Sequence, residues 1–74
     1  MSPTDPGRTP VVSSLLKSIA YSIDTTLDLE FRSGATYRYF AVPQSVFEAL
    51  LAAESKGAFF NRNVRNRFPY QRLA

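Results

Sequence analysis

The residues best suited to chemistry gather at the end of the chain. After Glu54 come Lys56, Arg62, Arg65, Arg67 and Arg72, with no carboxylate among them. An acid-free cationic run is the electrostatic footprint of a polyanion binder. Guanidinium forks match phosphate oxygens bidentately. Asn61, Asn63 and Asn66 add neutral donors and acceptors, and Phe68 and Tyr70 place stacking surfaces beside the charges. The competing reading is an ordinary solvated helix face whose cations lie near the C-terminus, where the helix dipole favours them. Both readings are open at this point.

A second candidate is Tyr37-Arg38-Tyr39. Two aromatics bracketing an arginine suit base stacking on an exposed sheet, worth about 1–3 kcal/mol per base. They also suit a strand whose rings pack beneath helices while their hydroxyls reach the rim, the reading favoured by the face they share with Leu27, Leu29 and Phe31. Strand alternation sends Arg38 to the face opposite the tyrosines, across from Asp28, where a partnered arginine more often serves solubility than ligand contact. The candidate nucleic-acid-binding set is therefore Arg62, Arg65, Arg67, Arg72, Phe68 and Tyr70, with Arg38 as an outlying member.

Catalysis finds little support. The chain has no His and no Cys, so the commonest general base and the thiol nucleophile are missing. Metal sites built on imidazole or thiolate are excluded with them. Asp24, Asp28, Glu30, Glu48 and Glu54 fall at outward or solvated spacings, and Ser13, Ser14 and Ser18 have no base beside them in sequence. Gly34 and Gly57 stand alone, without a phosphate-cradling loop around them. The expectation is a non-enzymatic protein with no cofactor, no metal and no small-molecule substrate.

The elements that must position these residues are few. A chain of 74 residues with +3 net charge has room for one small domain, burying only about 60 % of its unfolded surface. Without disulfides, the six Phe and four Tyr must carry much of the core, at roughly 150–250 Å² buried per aromatic. If that core falls short, dimerisation is the natural remedy. Residues 1–10, with three prolines, read as a disordered tail, and residues 11–74 as the domain.

From Val11 to Ile23 the pattern is strand-like, with Ile19, Tyr21 and Ile23 on one face and Ser18, Ala20 and Ser22 on the other. Leu27, Leu29 and Phe31 alternate with Asp28, Glu30 and Arg32, and Tyr37 and Tyr39 with Thr36, Arg38 and Phe40. All three apolar sets fall on odd numbers, and antiparallel neighbours must share a face. A three-residue loop Arg32-Ser33-Gly34 satisfies this by pairing Phe31 with Ala35, Leu29 with Tyr37 and Leu27 with Tyr39, with Gly34 left-handed. Asp24-Thr25-Thr26 closes the first hairpin by the same count.

Pro43 is welcome at a first helical position. The stripe of Val46, Phe47, Leu50 and Leu51 predicts an amphipathic helix over about 43–55, ended by Gly57 as a left-handed cap. A second helix is predicted over about 58–66, with Phe60 and Val64 inward and Arg62, Arg65 and Asn66 outward. The predicted fold is α+β: a three-stranded antiparallel meander with two short helices on its odd-residue face, leaving room for a short fourth strand near Tyr70–Leu73.

No apolar run approaches the roughly 18 residues of a membrane span, and the start has no apolar signal core. A cytoplasmic protein is expected.

Several stretches together resemble the KTSC domain: Ser18-Ile19-Ala20-Tyr21, Leu27-Asp28-Leu29-Glu30-Phe31, Gly34-Ala35-Thr36-Tyr37-Arg38-Tyr39, Val42-Pro43 and Ser55-Lys56-Gly57-Ala58-Phe59-Phe60-Asn61. That module occurs alone in bacterial proteins and at the C-terminus of some lysyl-tRNA synthetases, and Tyr-x-Tyr is its central signature. The resemblance implies a domain without an established activity, for which RNA binding is suggested by association with the synthetase.

Two expectations about partners follow. One is RNA or another polyanion on the arginine segment. The other is a protein partner or a homodimer, using the sheet face around Arg32, Arg38 and Phe40 or an open strand edge.

Overall fold

Five antiparallel strands in the order β1-β2-β3-β4-β5 carry two helices on one face, in a computed structural model that describes residues 8–11 and 13–74. The strands are β1 (Arg8–Pro10), β2 (Leu16–Tyr21), β3 (Leu27–Phe31), β4 (Thr36–Tyr39) and β5 (Tyr70–Arg72); the helices are α1 (Gln44–Ala52) and α2 (Lys56–Asn63). The α+β class and the central meander agree with expectation, the short strand for which room was left near Tyr70–Leu73 is present as β5, and the sheet is wider than expected by one strand, β1.

At the near side, Arg8–Pro10 leave the expected tail and pair Arg8 with Ala20, Thr9 with Ile19 and Pro10 with Ser18. An edge strand tolerates a proline because one side of its backbone needs no ladder partner. The rest of that segment, residues 1–7, lies outside the described residues. At the far side, β5 pairs Tyr37 with Arg72 and Tyr39 with Tyr70.

The second hairpin obeys parity as predicted, with Leu27 opposite Tyr39, Asp28 opposite Arg38 and Leu29 opposite Tyr37. Phe31 N–H donates to Ala35 C=O at 2.8 Å, and Gly34 takes φ +98°. The first hairpin keeps parity but slides by one residue at its loop. Ser22 N–H donates to Thr26 C=O at 2.9 Å, so the loop is Ile23-Asp24-Thr25 with Thr25 left-handed at φ +68°. Asp24 explains the shift. Its Oδ1 accepts from the Thr26 hydroxyl at 2.8 Å and the Thr26 N–H at 3.2 Å, a local turn that outcompetes a longer ladder. Those hydrogen bonds hold the Asp24 carboxyl below its ordinary range, the Thr26 hydroxyl contributing most. Ile23, expected on the core face, is instead fully exposed at the tip.

A bulge adds a core residue that alternation alone does not give. Leu16 pairs with Phe31 but Ser18 with Glu30, so Lys17 is skipped. Leu16, an even-numbered residue, thereby joins Ile19, Leu27 and Leu29 in full burial. Lys17 turns outward, 4.0 Å from Glu30.

The helices supply the other half of the core through Leu50, Phe60 and Val64, with Val46, Phe47, Leu51 and Phe59 packed around them. Both helices start differently from expectation. Pro43 precedes α1 as its extended cap at ψ 148° rather than opening it, and Gly57 lies inside the first turn of α2. Ser55 caps that helix by accepting from Ala58 N–H at 3.2 Å, as an N-cap serine does. Glycine suits position 57 for a steric reason: a Cβ there would lie 3.3 Å from Leu15 Cβ. Tyr21 ties the entry of α1 to the sheet, its hydroxyl donating to Val42 C=O at 2.6 Å and its ring stacking on Phe47 at 4.7 Å.

Candidate nucleic-acid interface

The α2 helix ends at Asn63, and the following turn returns the chain to the sheet edge. Asn66 makes that turn with φ +63°, a conformation asparagine tolerates better than most residues. The space left between this segment and strands β4 and β5 is an open groove of about 590 Å³. Its floor is aromatic and its rim cationic.

Three tyrosines define the floor. Register places Tyr39 directly opposite Tyr70, and alternation puts Tyr37 on the same face. The ring centroids of Tyr70 lie 5.6 Å from both Tyr37 and Tyr39, and those of Tyr37 and Tyr39 are 6.5 Å apart. The three differ in exposure. Tyr39 is only 4 % exposed and packs edge-on against Phe60 at 5.8 Å; Tyr37 is half-buried against Phe31; Tyr70 is 57 % exposed. Burial pushes the Tyr39 hydroxyl above its ordinary pKa, and the nearby Tyr37 and Tyr70 phenols add to this while Arg65 opposes it.

The rim carries Arg65 and Arg72, with Asn61 and Asn66 beside them, and among the described residues no Asp or Glu side chain lines the groove. Arg72 lies over the Tyr37 ring at 5.8 Å, a cation–π distance, and its Nε donates to a main-chain oxygen of Ala74 at 3.0 Å.

The structure separates the seven candidates. Arg65, Arg72 and Tyr70 meet in the groove. Phe68 is half-buried and packs against the hydrophobic core. Arg62 and Arg67 are exposed but do not line the groove, and Arg67 Nε donates to the Arg62 carbonyl at 3.1 Å. Arg38 belongs to the opposite sheet face, where it grips Asp28 in a two-point ion pair at 2.8 and 2.9 Å. Donation to the Asp28 carboxylate, together with that group's negative charge, raises the Arg38 pKa above its ordinary value. Tyr37 and Tyr39, weighed above as either stacking platform or core, line the groove together with these arginines. The pairing of β5 with β4 brings the two groups together, and sequence alternation within either segment carries no trace of it. Among the described residues no cluster of carboxylates could hold a metal ion, and no helix is long and apolar enough to cross a membrane.

A five-stranded antiparallel sheet with two short helices and a central Tyr-x-Tyr defines a small α+β module. The KTSC domain model matches residues 12–68, and the chain belongs to that family. A crystal structure of a KTSC domain protein from Yersinia pestis shares the fold, with a TM-score of 0.88 at 34 % identity over 90 % of this chain and 96 % of that one. Relatives of two kinds share the sequence. A protein of Tsukamurella paurometabola is 48 % identical over 60 residues, 80 % of this chain and 90 % of its own length. A lysine–tRNA ligase of Nostoc punctiforme is 44 % identical over 62 residues, 82 % of this chain. The chain spans only 11 % of that ligase.

Proposed function

We propose that this domain is a non-catalytic nucleic-acid binder, RNA being its principal ligand, and that it works through the tyrosine groove. One observation carries the reading: Tyr37 and Tyr70 share a groove with Arg65 and Arg72, and among the described residues no Asp or Glu side chain lines it. Aromatic faces take bases and guanidinium groups take phosphates, and single-stranded nucleic acid presents both together. The relatives named lysine–tRNA ligase carry the same module in a protein whose named substrate is a tRNA, which favours RNA over other polyanions.

Titration of isotopically labelled protein with mixed-sequence RNA and DNA, followed by NMR at low salt, tests this. Shifts are expected at Tyr37, Arg65, Tyr70 and Arg72. Two phosphate contacts predict a log–log salt slope of about −1.4 for a single strand, and Arg65→Gln should reduce it by about 0.7. The absence of shifts with either nucleic acid at low salt would dismiss the proposal. Salt-insensitive perturbation of the open β5 edge by a protein partner would replace it with strand addition.

A further inference from the structure

We infer that the groove admits an unpaired stretch of one or two nucleotides and rejects a double helix, with Tyr70 as the residue that makes the distinction. This rests on the nucleic-acid reading above and specifies the state of the strand that the site takes.

The geometry behind it is the graded exposure of the three rings. Tyr39 is 4 % exposed and forms the back of the groove, so it offers no face to a ligand. Tyr70 is 57 % exposed and leans at 47° to Tyr37 and 37° to Tyr39. It is therefore held by its neighbours while much of its own surface faces solvent, as a stacking platform requires. Tyr37 lies deeper, under the Arg72 guanidinium at 5.8 Å. An incoming base takes the Tyr70 face first, and its phosphate meets Arg72 or Arg65 at the rim.

Size and chemistry point the same way. The groove volume of about 590 Å³ falls inside the roughly 300–1,000 Å³ range of sites that enclose small ligands. That is space for one or two nucleotides. A duplex keeps its base faces against one another and shows only edges and phosphates, so it reaches the rim arginines and leaves the aromatic floor empty. An unpaired strand uses floor and rim together. Stacking accepts any base, because each has a π-face; the site thus reads pairing state rather than sequence.

The test uses the full chain, a fluorescent oligouridylate about six nucleotides long, and a long duplex RNA with few ends, compared by anisotropy and competition at one salt concentration. The oligouridylate should bind at least about tenfold more tightly per site than the duplex. Tyr70→Ala should weaken the single strand by about 5- to 150-fold and leave duplex binding unchanged. Tyr70→Phe, which keeps the ring, should bind like wild type. Circular dichroism shows whether each variant is folded, and Tyr70 is exposed enough for the alanine variant to remain so. Equal binding of duplex and single strand, or a single-strand affinity indifferent to Tyr70→Ala, would overturn the inference while the broader nucleic-acid reading stands. No binding of either RNA would overturn both.

Discussion

Replacing each groove tyrosine by alanine should produce a steep gradient in stability, with Tyr39 at the top. Tyr39 is 4 % exposed, with ring centroids of Phe60 and Tyr70 at 5.8 and 5.6 Å. A tyrosine buries about 150–250 Å², which at about 25 cal/mol per Å² is roughly 4–6 kcal/mol of transfer free energy. Part of that area stays covered by Cβ and by relaxation of neighbours, so Tyr39→Ala should cost about 3–5 kcal/mol, the range of large aromatic truncations. At about 0.05–0.15 kcal/mol per residue, a domain of 74 residues has roughly 4–11 kcal/mol in all. Half-buried Tyr37 should cost about 1–3 kcal/mol, and exposed Tyr70 about 1 kcal/mol or less, mostly its aromatic contacts. Urea unfolding followed by far-UV circular dichroism measures all three, since the chain has no tryptophan to report by fluorescence. Tyr39→Phe should stay within about 1 kcal/mol of wild type, which separates loss of the ring from loss of the hydroxyl. A Tyr39→Ala variant less than about 1 kcal/mol below wild type, or a Tyr70 cost equal to the Tyr39 cost, would refute the division of the three rings into core and platform.

Two further outcomes test the packing. Gly57→Ala adds helix propensity worth up to about 1 kcal/mol, but its Cβ meets Leu15 at 3.3 Å. It should therefore give no gain in the native chain and a gain of about 0.5–1 kcal/mol in a Leu15→Gly background, which removes the Cβ it meets; chemical denaturation of the four proteins of the cycle checks this, and equal effects in both backgrounds would remove the steric explanation. Stability should also fall at alkaline pH. Burial raises the Tyr39 pKa in the folded state above the ordinary value, so above about pH 10 the unfolded chain loses this proton first and stability declines. The contribution is whole below that pH and lost as pH rises through the folded-state pKa. Ultraviolet titration of tyrosinate should show a late component that Tyr39→Phe abolishes.

What the sequence reveals of this fold depends on whether the deciding interaction is local. Leu27, Leu29, Tyr37 and Tyr39 share parity, and the Arg32-Ser33-Gly34 loop is the one that keeps them on one face; the register and the Asp28–Arg38 pair follow. The slide at Asp24-Thr25-Thr26 preserves parity, so alternation alone cannot distinguish it from the longer hairpin. The Lys17 bulge is hidden for the opposite reason: it reverses parity for Leu16, and only the three-dimensional need to fill the space beside Phe31 marks it. Arg8–Pro10 have a tail's composition and become a strand because β2 offers them an open edge. Gly57 has the look of a helix stop, yet its role is set by Leu15, 42 positions away in sequence.

The candidate site is non-local in the same sense. Tyr37-Arg38-Tyr39 and the segment from Arg62 to Arg72 each suggest a ligand surface and a structural alternative, and for the tyrosines the two are not exclusive. The structure shows why they are not. Alternation dispatches Arg38 to the far face and both tyrosines to the helix face. The helix layer stops at Asn63, and the chain then bends away at Asn66 to form β5. Tyr39, beside Phe60, falls under the layer and joins the core; Tyr37 falls at its margin; Tyr70 arrives from β5 beyond it. Core and platform are thus two ends of one aromatic cluster, divided by where α2 stops. The β4–β5 pairing then sets Arg72 opposite Tyr37, which joins the cation to the ring.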